Sequence, residues 1–541
     1  MIITYRIQDD EILEVQKGTS VRAAIAQRPD VSRIYAAVVN GKLHDLNFKL
    51  KEEGTLSFIY DDSETGKQIY ERTMNFVFIT AVKLLYKNSH VRMEHALSGG
   101  QYCDVIKKPF LVPKDIRNIR KKMEELVKNK EEIRRKVVTT QEAVQYFNEN
   151  GMRNKAELLR CRKSKTSSIY TLCGVDDYFY GIMLPSTSYI THFSIRYHAP
   201  GVWLSPNSHF VNQHKLFNVF QEFESWGKLI GVSNIAQLNQ KILQGKMDEL
   251  VLMSETMIEK KLAELASEIV NGHPHTKFIL IAGPSSAGKT TFSRRLSIHL
   301  KILGKEPIAI SMDNFYKNRE DSPRLPDGSY DFESLEAIDL ELFNETMLKL
   351  LHHDPVHLPR FNFKSGEREW HSEETVLKDD QILIIEGIHG LNPEASAYLP
   401  NDAKFKIYMN ALTHLNLDEH NRIPTSDYRL IRRIARDYQF RGWDAQATIH
   451  FWKNVRDGED KYIYPFQEEA DAIFNSSMVY ELSILKKIVI PLLDNVDIQE
   501  PEYLEATRLK KLLAYFIDGD ESAVPRSSIL AEFIGNSVFD V

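Results

Sequence analysis

The chain has 541 residues, 43% hydrophobic and 27% charged, with a formal net charge of −6. That length exceeds one core and predicts several soluble domains, and the charge balance excludes a bulk drive toward nucleic acid or anionic membrane. Its 3 cysteines form no CxxC pair, which excludes a disulfide framework, and no window approaches the roughly 18 apolar residues of a bilayer span. The expectation is a reduced, cytoplasmic protein without a signal peptide or membrane partner.

In chain order, the first sixty residues predict short strands around one helix. Ile2 to Ile7 alternates, Ser20 to Ala26 reads as a helix, and Ala36 to Val39 runs into Asn40-Gly41. Asn-Gly between apolar runs marks a hairpin, because both residues tolerate positive φ. Leu56 to Tyr60 supplies a last strand. From 63 to 225 the pattern is mixed. Met74 to Tyr86 has helical spacing, Asp115 to Lys136 reads as one long charged helix, and Tyr178 to Trp203 is aromatic and β-like. Residues 226–270 form a helical connector, clearest over Met253–Ile269.

From Lys277 the pattern changes. Apolar runs at Phe278–Ala282, Ile308–Ile310, Ile382–Ile385 and Phe405–Met409 alternate with helical stretches. Buried runs separated by helices predict a doubly wound parallel sheet. The first run leads into Gly283, Pro284, Ser285, Ser286, Ala287, Gly288, Lys289 and Thr290, which match GxxxxGK[ST], followed by Thr291. A helix with Phe292, Leu296, Leu300 and Leu303 leaves the loop. This strand–loop–helix context is what a phosphate cradle requires: backbone N–H groups converge on phosphate oxygens, Lys289 reaches the β/γ oxygens, and the Thr290 hydroxyl suits Mg²⁺. The donor is expected to be ATP.

Two carboxylates sit at C-terminal strand ends, where open α/β sheets place ligands: Asp313 in SMDNFY and Glu386 in IIEG. Asp313 is expected to take the proton of an attacking hydroxyl, and Glu386 to join Thr290 at the metal. An arginine stripe follows. Arg429, Arg433 and Arg436 share a helix face by spacing, with Arg432 and Arg441 beside them, and such a helix is expected to close over the transferring phosphoryl.

On these residues, 277–495 resembles the uridine kinase and phosphoribulokinase group of P-loop kinases, through GPSSAGKTT, SMDNFYK, YDFESLEAID, IIEGIHGL and DYRLIRRIARDYQFRG. The resemblance implies Asp313 as base, Lys289, Arg432 and Arg436 as catalytic partners, and an acceptor stretch at Phe332 and Glu333. It also implies acceptor contacts at Phe361, Arg368 and Arg429. Where uridine kinases carry Tyr-Asp-Phe and then histidine, this chain has Phe361, Asn362, Phe363 and Gly366.

The first 225 residues resemble threonyl-tRNA synthetase in its TGS and editing domains, through AAVVNGKLHDL, HALSGGQYCDV, KDIRNIRKKMEELV and LPSTSYITHF. The synthetase's editing His and Cys positions fall on Arg72, Phe76, Phe179 and Met183, none able to serve as a zinc ligand in their place. His90 and His95 read as loop residues nearby.

The expected organisation is multidomain α+β and α/β: a TGS-like β-grasp domain over 1–62, an editing-like domain over 63–225 and the connector over 226–270. A P-loop kinase domain over 271–500 and a helical tail over 501–541 complete it. The expected function is ATP-dependent phosphorylation of a nucleoside or nucleoside-like hydroxyl. A non-nucleoside polyol, sugar or vitamin kinase and an ATP-gated RNA-binding regulator stand as alternatives. A homo-oligomer is compatible with either kinase reading.

Overall fold

The computed structural model describes residues 2–7, 11–325, 328, 330–362 and 365–539. At its N-terminus, strands Ile12–Gln16, Ile2–Ile7, Gly54–Tyr60, Ile34–Val39 and Lys42–His44 form one sheet in that order, with Ile2–Ile7 parallel to Gly54–Tyr60. This is the β-grasp arrangement. The hairpin at Asn40 and Gly41 has φ of 49° and 74°, the left-handed values that a two-residue turn between twisted strands demands. Ser20 caps the short helix Val21–Ala24.

Next comes the 22-residue helix Glu64–Leu85, packed against strands His90–Leu97 and Gly100–Ile106. His90 and His95 therefore lie in a strand rather than a loop, and His95 is buried, its ring 4.0 Å from that of Phe220. The charged helix ends earlier than its composition predicts. It spans Pro113–Lys128, breaks at Lys130 with φ 55°, and Arg134–Thr139 becomes an edge strand whose basic residues face solvent. Charge content alone does not separate a helix from an exposed edge strand, because both keep lysine and arginine in water. The helical connector is His214–Leu229, Ile235–Leu243 and Met247–Ser267.

The C-terminal sheet orders its strands Glu306–Ser311, Gln381–Glu386, Phe278–Ala282, Lys404–Asn410 and Ala472–Asn475, all parallel. Every residue of Phe278–Ala282 is buried, as a central strand covered on both faces must be. The fifth strand and the antiparallel pair Val356–Asn362 and Glu367–Thr375 have no counterpart among the sequence expectations.

The halves are not separate bodies. One hydrophobic cluster runs from Ala143, Phe147 and Leu159 through Leu250 and Ile279 to Leu513 and Phe533. Buried Lys155 sits 2.8 Å from Asp177 and 3.1 Å from Asp418, and His420 also meets Asp177. Among the described residues, no helix is long and apolar enough to cross a membrane, and Cys103, Cys161 and Cys173 are free.

Candidate active site

The loop from Gly283 to Gly288 joins the central strand to helix Lys289–Ile302. Two glycines are fixed by geometry. A Cβ on Gly283 would lie 1.9 Å from the Met409 carbonyl of the adjacent strand, and Gly288 caps the helix at φ 86°, where side chains are strained. Lys289 folds back, donating from Nζ to the carbonyls of Gly283 (2.8 Å) and Pro284 (3.2 Å). Burial holds its pKa below the usual lysine value, against the pull of Glu386 and Asp313.

Both sequence-predicted carboxylates stand at this end of the sheet. Glu386 ends its strand, and the Thr290 hydroxyl donates to its two oxygens at 3.3 and 3.4 Å. Burial pushes Glu386 up to about 7, offset in part by Lys289. Asp313 lies in the turn Met312–Phe315 directly after strand Glu306–Ser311, its N–H donating to Ser311 Oγ. Its carboxyl is raised by burial and lowered by Lys289 and Arg441. The adjacent Thr290 hydroxyl and Glu386 carboxylate make an oxygen donor set of the kind Mg²⁺ takes beside a phosphate, so these residues fit the ion.

The arginine helix Thr425–Phe440 corrects the lid expectation. Arg429 is fully buried, bidentate to Glu459 and bonded to the Ser285 carbonyl (3.0 Å). Arg432, also fully buried, is bidentate to Glu481 at 2.8 and 2.6 Å and reaches the Ser286 carbonyl (3.3 Å). These two hold the P-loop from beneath and have no free face for acceptor or phosphate. Spacing places residues on a face but cannot say that the face is packed. Arg433, Arg436 and Arg441 differ: all three approach one carboxylate, Asp437, at 3.1, 3.4 and 3.4 Å. Arg433 also donates to Ser285 Oγ (2.9 Å). Burial and its neighbour Arg441 bring Arg436 down to about 10. Three guanidiniums on one carboxylate leave a cationic excess beside the loop, the electrostatics an anion requires.

A cavity of about 590 Å³ opens next to this centre. One wall is the stretch with Tyr330, Phe332 and Glu333, and the other is helix Ala445–Tyr462 with Phe451, Asn454 and Lys461. Glu333 packs against Gly458, where an added Cβ would come within 2.8 Å of the Glu333 Cβ. Burial raises Glu333 to about 7, with Arg433 opposing. Phe332 is 36% exposed, so its ring is available to a ligand.

Two expected acceptor contacts fall elsewhere. Phe361 is buried against Tyr316, centroids 5.5 Å apart. Arg368 bonds the Tyr316 carbonyl (2.8 Å) and Asp339 (3.0 Å), bracing the turn that carries Asp313. Neither lines the cavity, because 361 and 368 pair across the hairpin that packs on that turn. Phe363 and Lys364 lie outside the described residues. The cavity wall from helix Ala445–Tyr462 escaped the sequence reading. Trp443 and Phe451 are its aromatic lining.

A second unforeseen element is the C-terminal segment. Glu532, 5% exposed, accepts from the Thr291 hydroxyl (2.8 Å) and backbone N–H (3.4 Å), and Ile529 presses on Gly288. The tail beyond 501 thus reaches the P-loop and its helix.

In the N-terminal half, the positions aligned with the synthetase's editing ligands do come together, as a filled core. Phe76 and Phe179 stack edge to face at 5.2 Å, Met183 is buried in the same cluster, and Arg72 donates to the Ile182 carbonyl (2.7 Å).

Residues 278–483 match the model of the Phosphoribulokinase / Uridine kinase family. Over 220 residues, 40% of this chain, the sequence is 30% identical to Threonine--tRNA ligase 2 of Bacillus subtilis (strain 168), covering 34% of that protein. It is 26% identical over 257 residues to Threonine--tRNA ligase of Geobacillus sp. (strain WCH70), covering 47% of this chain and 40% of the ligase. The chain thus spans between a third and two fifths of the length of these two relatives. A solved structure described as a "Possible Uridine Kinase" from Bacillus stearothermophilus is similar at TM-score 0.27 and 18% identity, covering 40% of this chain and 98% of that one. The C-terminal half thus contains a Phosphoribulokinase / Uridine kinase family domain, joined to an N-terminal half that is similar to threonine–tRNA ligases.

Proposed function

We propose that the C-terminal half transfers the γ-phosphoryl group of ATP to a hydroxyl of a nucleoside or nucleoside-like molecule. The observation that carries this reading is convergence. Lys289, Thr290, Asp313 and Glu386 meet at one end of one sheet, and Glu333 faces a cavity of about 590 Å³ beside them. Asp313 takes the hydroxyl proton, the freed oxygen attacks the γ-phosphorus, and the bond to the β-phosphate oxygen breaks to release ADP. Lys289 and Arg436 balance charge on the transferring group. Mg²⁺, held through Thr290 and Glu386, supplies neutralisation of the phosphate oxygens. Glu333 accepts from vicinal hydroxyls, and the rings of Tyr330 and Phe332, 5.7 Å apart, offer a face to a planar base.

The test is Mg²⁺-dependent ATP consumption by the full chain against nucleosides, ribose-like sugars, polyols and pantothenate, with Lys289→Ala and EDTA as controls. Turnover with one nucleoside supports the proposal. Turnover only with a non-nucleoside replaces the acceptor while keeping the kinase. ATP binding without turnover on any acceptor removes the reading and favours a regulator.

A further inference from the structure

Beyond phosphoryl transfer, a cavity of about 330 Å³ lies where the two halves of the chain meet. Residues 41–43 of the N-terminal hairpin, helix Glu64–Leu85 and residues 180–182 wall it from the N-terminal half, and helix Tyr503–Leu513 closes it from the other. Neither half contains the cavity alone. Its volume falls in the range of small-molecule sites, and Leu43, Ile69, Ile182 and Leu504 give it an apolar lining. The closing helix is also anchored to the kinase fold: Arg508 is bidentate to Asp427 of the arginine helix at 2.5 and 2.8 Å.

Two basic side chains line this space without a carboxylate partner. Arg72 lies along the wall: its Nη1 donates to the Ile182 carbonyl (2.7 Å), and its Cζ stands 5.3 Å from the centre of the Tyr180 ring. A Cβ added to Gly181 would come within 2.3 Å of that Cζ, so glycine there leaves room for the guanidinium. Lys511, from the closing helix, donates to the Tyr180 carbonyl. Among the described residues, neither Arg72 nor Lys511 forms an ion pair. The carboxylates nearby are committed elsewhere. Glu505 accepts from Arg508 at 2.7 and 2.5 Å. Burial raises Glu71, with Arg422 opposing more strongly than Arg72. Burial, then Arg162, Arg72 and Arg135, bring Lys511 down to about 7, and an anion beside it would oppose that effect. A guanidinium keeps its charge in proteins, so the positive field at Arg72 does not depend on the lysine proton.

We propose that this cavity binds a small organic anion, a carboxylate or phosphate monoester on an apolar or aromatic body, with Arg72 and Lys511 taking the charged end. The body lies against Leu43, Ile182 and Leu504. The site shares no residue with the P-loop or with the acceptor cavity, and its occupancy does not depend on which acceptor the kinase half takes.

The experiment titrates 1-naphthoate and, separately, 1-naphthyl phosphate into the full chain by calorimetry, with 1-naphthol as the uncharged counterpart. Expected is a site that holds at least one of the two anions about tenfold or more tighter than the naphthol, the scale of hydrogen bonds to charged groups. The tighter anion tells whether the charged end is a carboxylate or a phosphate. Arg72→Met and Lys511→Met should each weaken binding about tenfold. Thr507 is exposed and lines the cavity, so Thr507→Trp fills the space with both basic groups in place and should abolish binding. The anion should raise the melting temperature of the unaltered chain and leave that of Thr507→Trp unchanged, since a ligand of the folded state alone stabilises it. Binding of neither anion, a preference over naphthol below about tenfold, or binding that survives Thr507→Trp overturns the proposal.

Discussion

The P-loop end of the C-terminal sheet and the editing-like hollow of the N-terminal half make an instructive pair. At the sheet, Lys289, Asp313, Glu386 and Glu333 carry charges that burial opposes, around open space. At the positions aligned with the editing ligands, Phe76, Phe179 and Met183 pack into an apolar core, and Arg72 is tied to a carbonyl. Both regions keep an inherited fold. At the sheet, burial raises Glu333 and Glu386 beside open space, an arrangement that enriches for functional sites.

The comparison is broken most directly at Asp313. Asp313→Asn should lower kcat by about 10²–10⁴-fold with little change in acceptor KM, because a base acts as the transition state forms. Equal loss in both parameters would make it a binding residue. Within the arginine helix, Arg432→Ala should cost about 3–5 kcal/mol in unfolding free energy by stranding buried Glu481. Arg436→Ala should leave the melting temperature almost unchanged and depress turnover. Denaturant melts beside steady-state kinetics separate these outcomes, and a stable Arg432→Ala protein would contradict the supporting role.

Phe76→Ala tests the hollow. It should cost about 3–5 kcal/mol in stability and leave kcat of the surviving folded protein intact; a selective loss of turnover would show that the hollow talks to the kinase. Glu333 gives a pH signature. Its folded pKa is raised from 4.5 to about 7, so the folded state holds a proton that the unfolded chain releases. Stability of the ligand-free protein should therefore fall as pH rises through 4.5 to 7, and Glu333→Gln should flatten that slope. The smallest effect is expected at Glu532. Its carboxylate sits on Thr291 and adds negative charge near Lys289, so Glu532→Gln should lower the ATP KM a few-fold.

How far the sequence reveals this arrangement depends on range. The P-loop, Asp313 and Glu386 were legible because each is defined by a few residues at a strand end. Helix Thr425–Phe440 was legible as a helix, but spacing could not separate Arg429 and Arg432, paired inward, from Arg436. Phe361 and Arg368 were misplaced because their hairpin folds onto the Asp313 turn instead of the acceptor cavity. The helix Ala445–Tyr462 wall and Glu532 come from more than a hundred residues away, and no local pattern announces such contacts.

The cluster that runs from Ala143 to Phe533 carries a consequence for how this chain comes apart. Residues that a gene map would assign to different modules bury one another's apolar surface, as Tyr178 and Tyr515 do with their rings buried and hydroxyls touching. A fragment cut at 270 would present that surface to water on both pieces. Heat or denaturant should therefore meet one indivisible cooperative unit where the ancestry suggests two detachable ones.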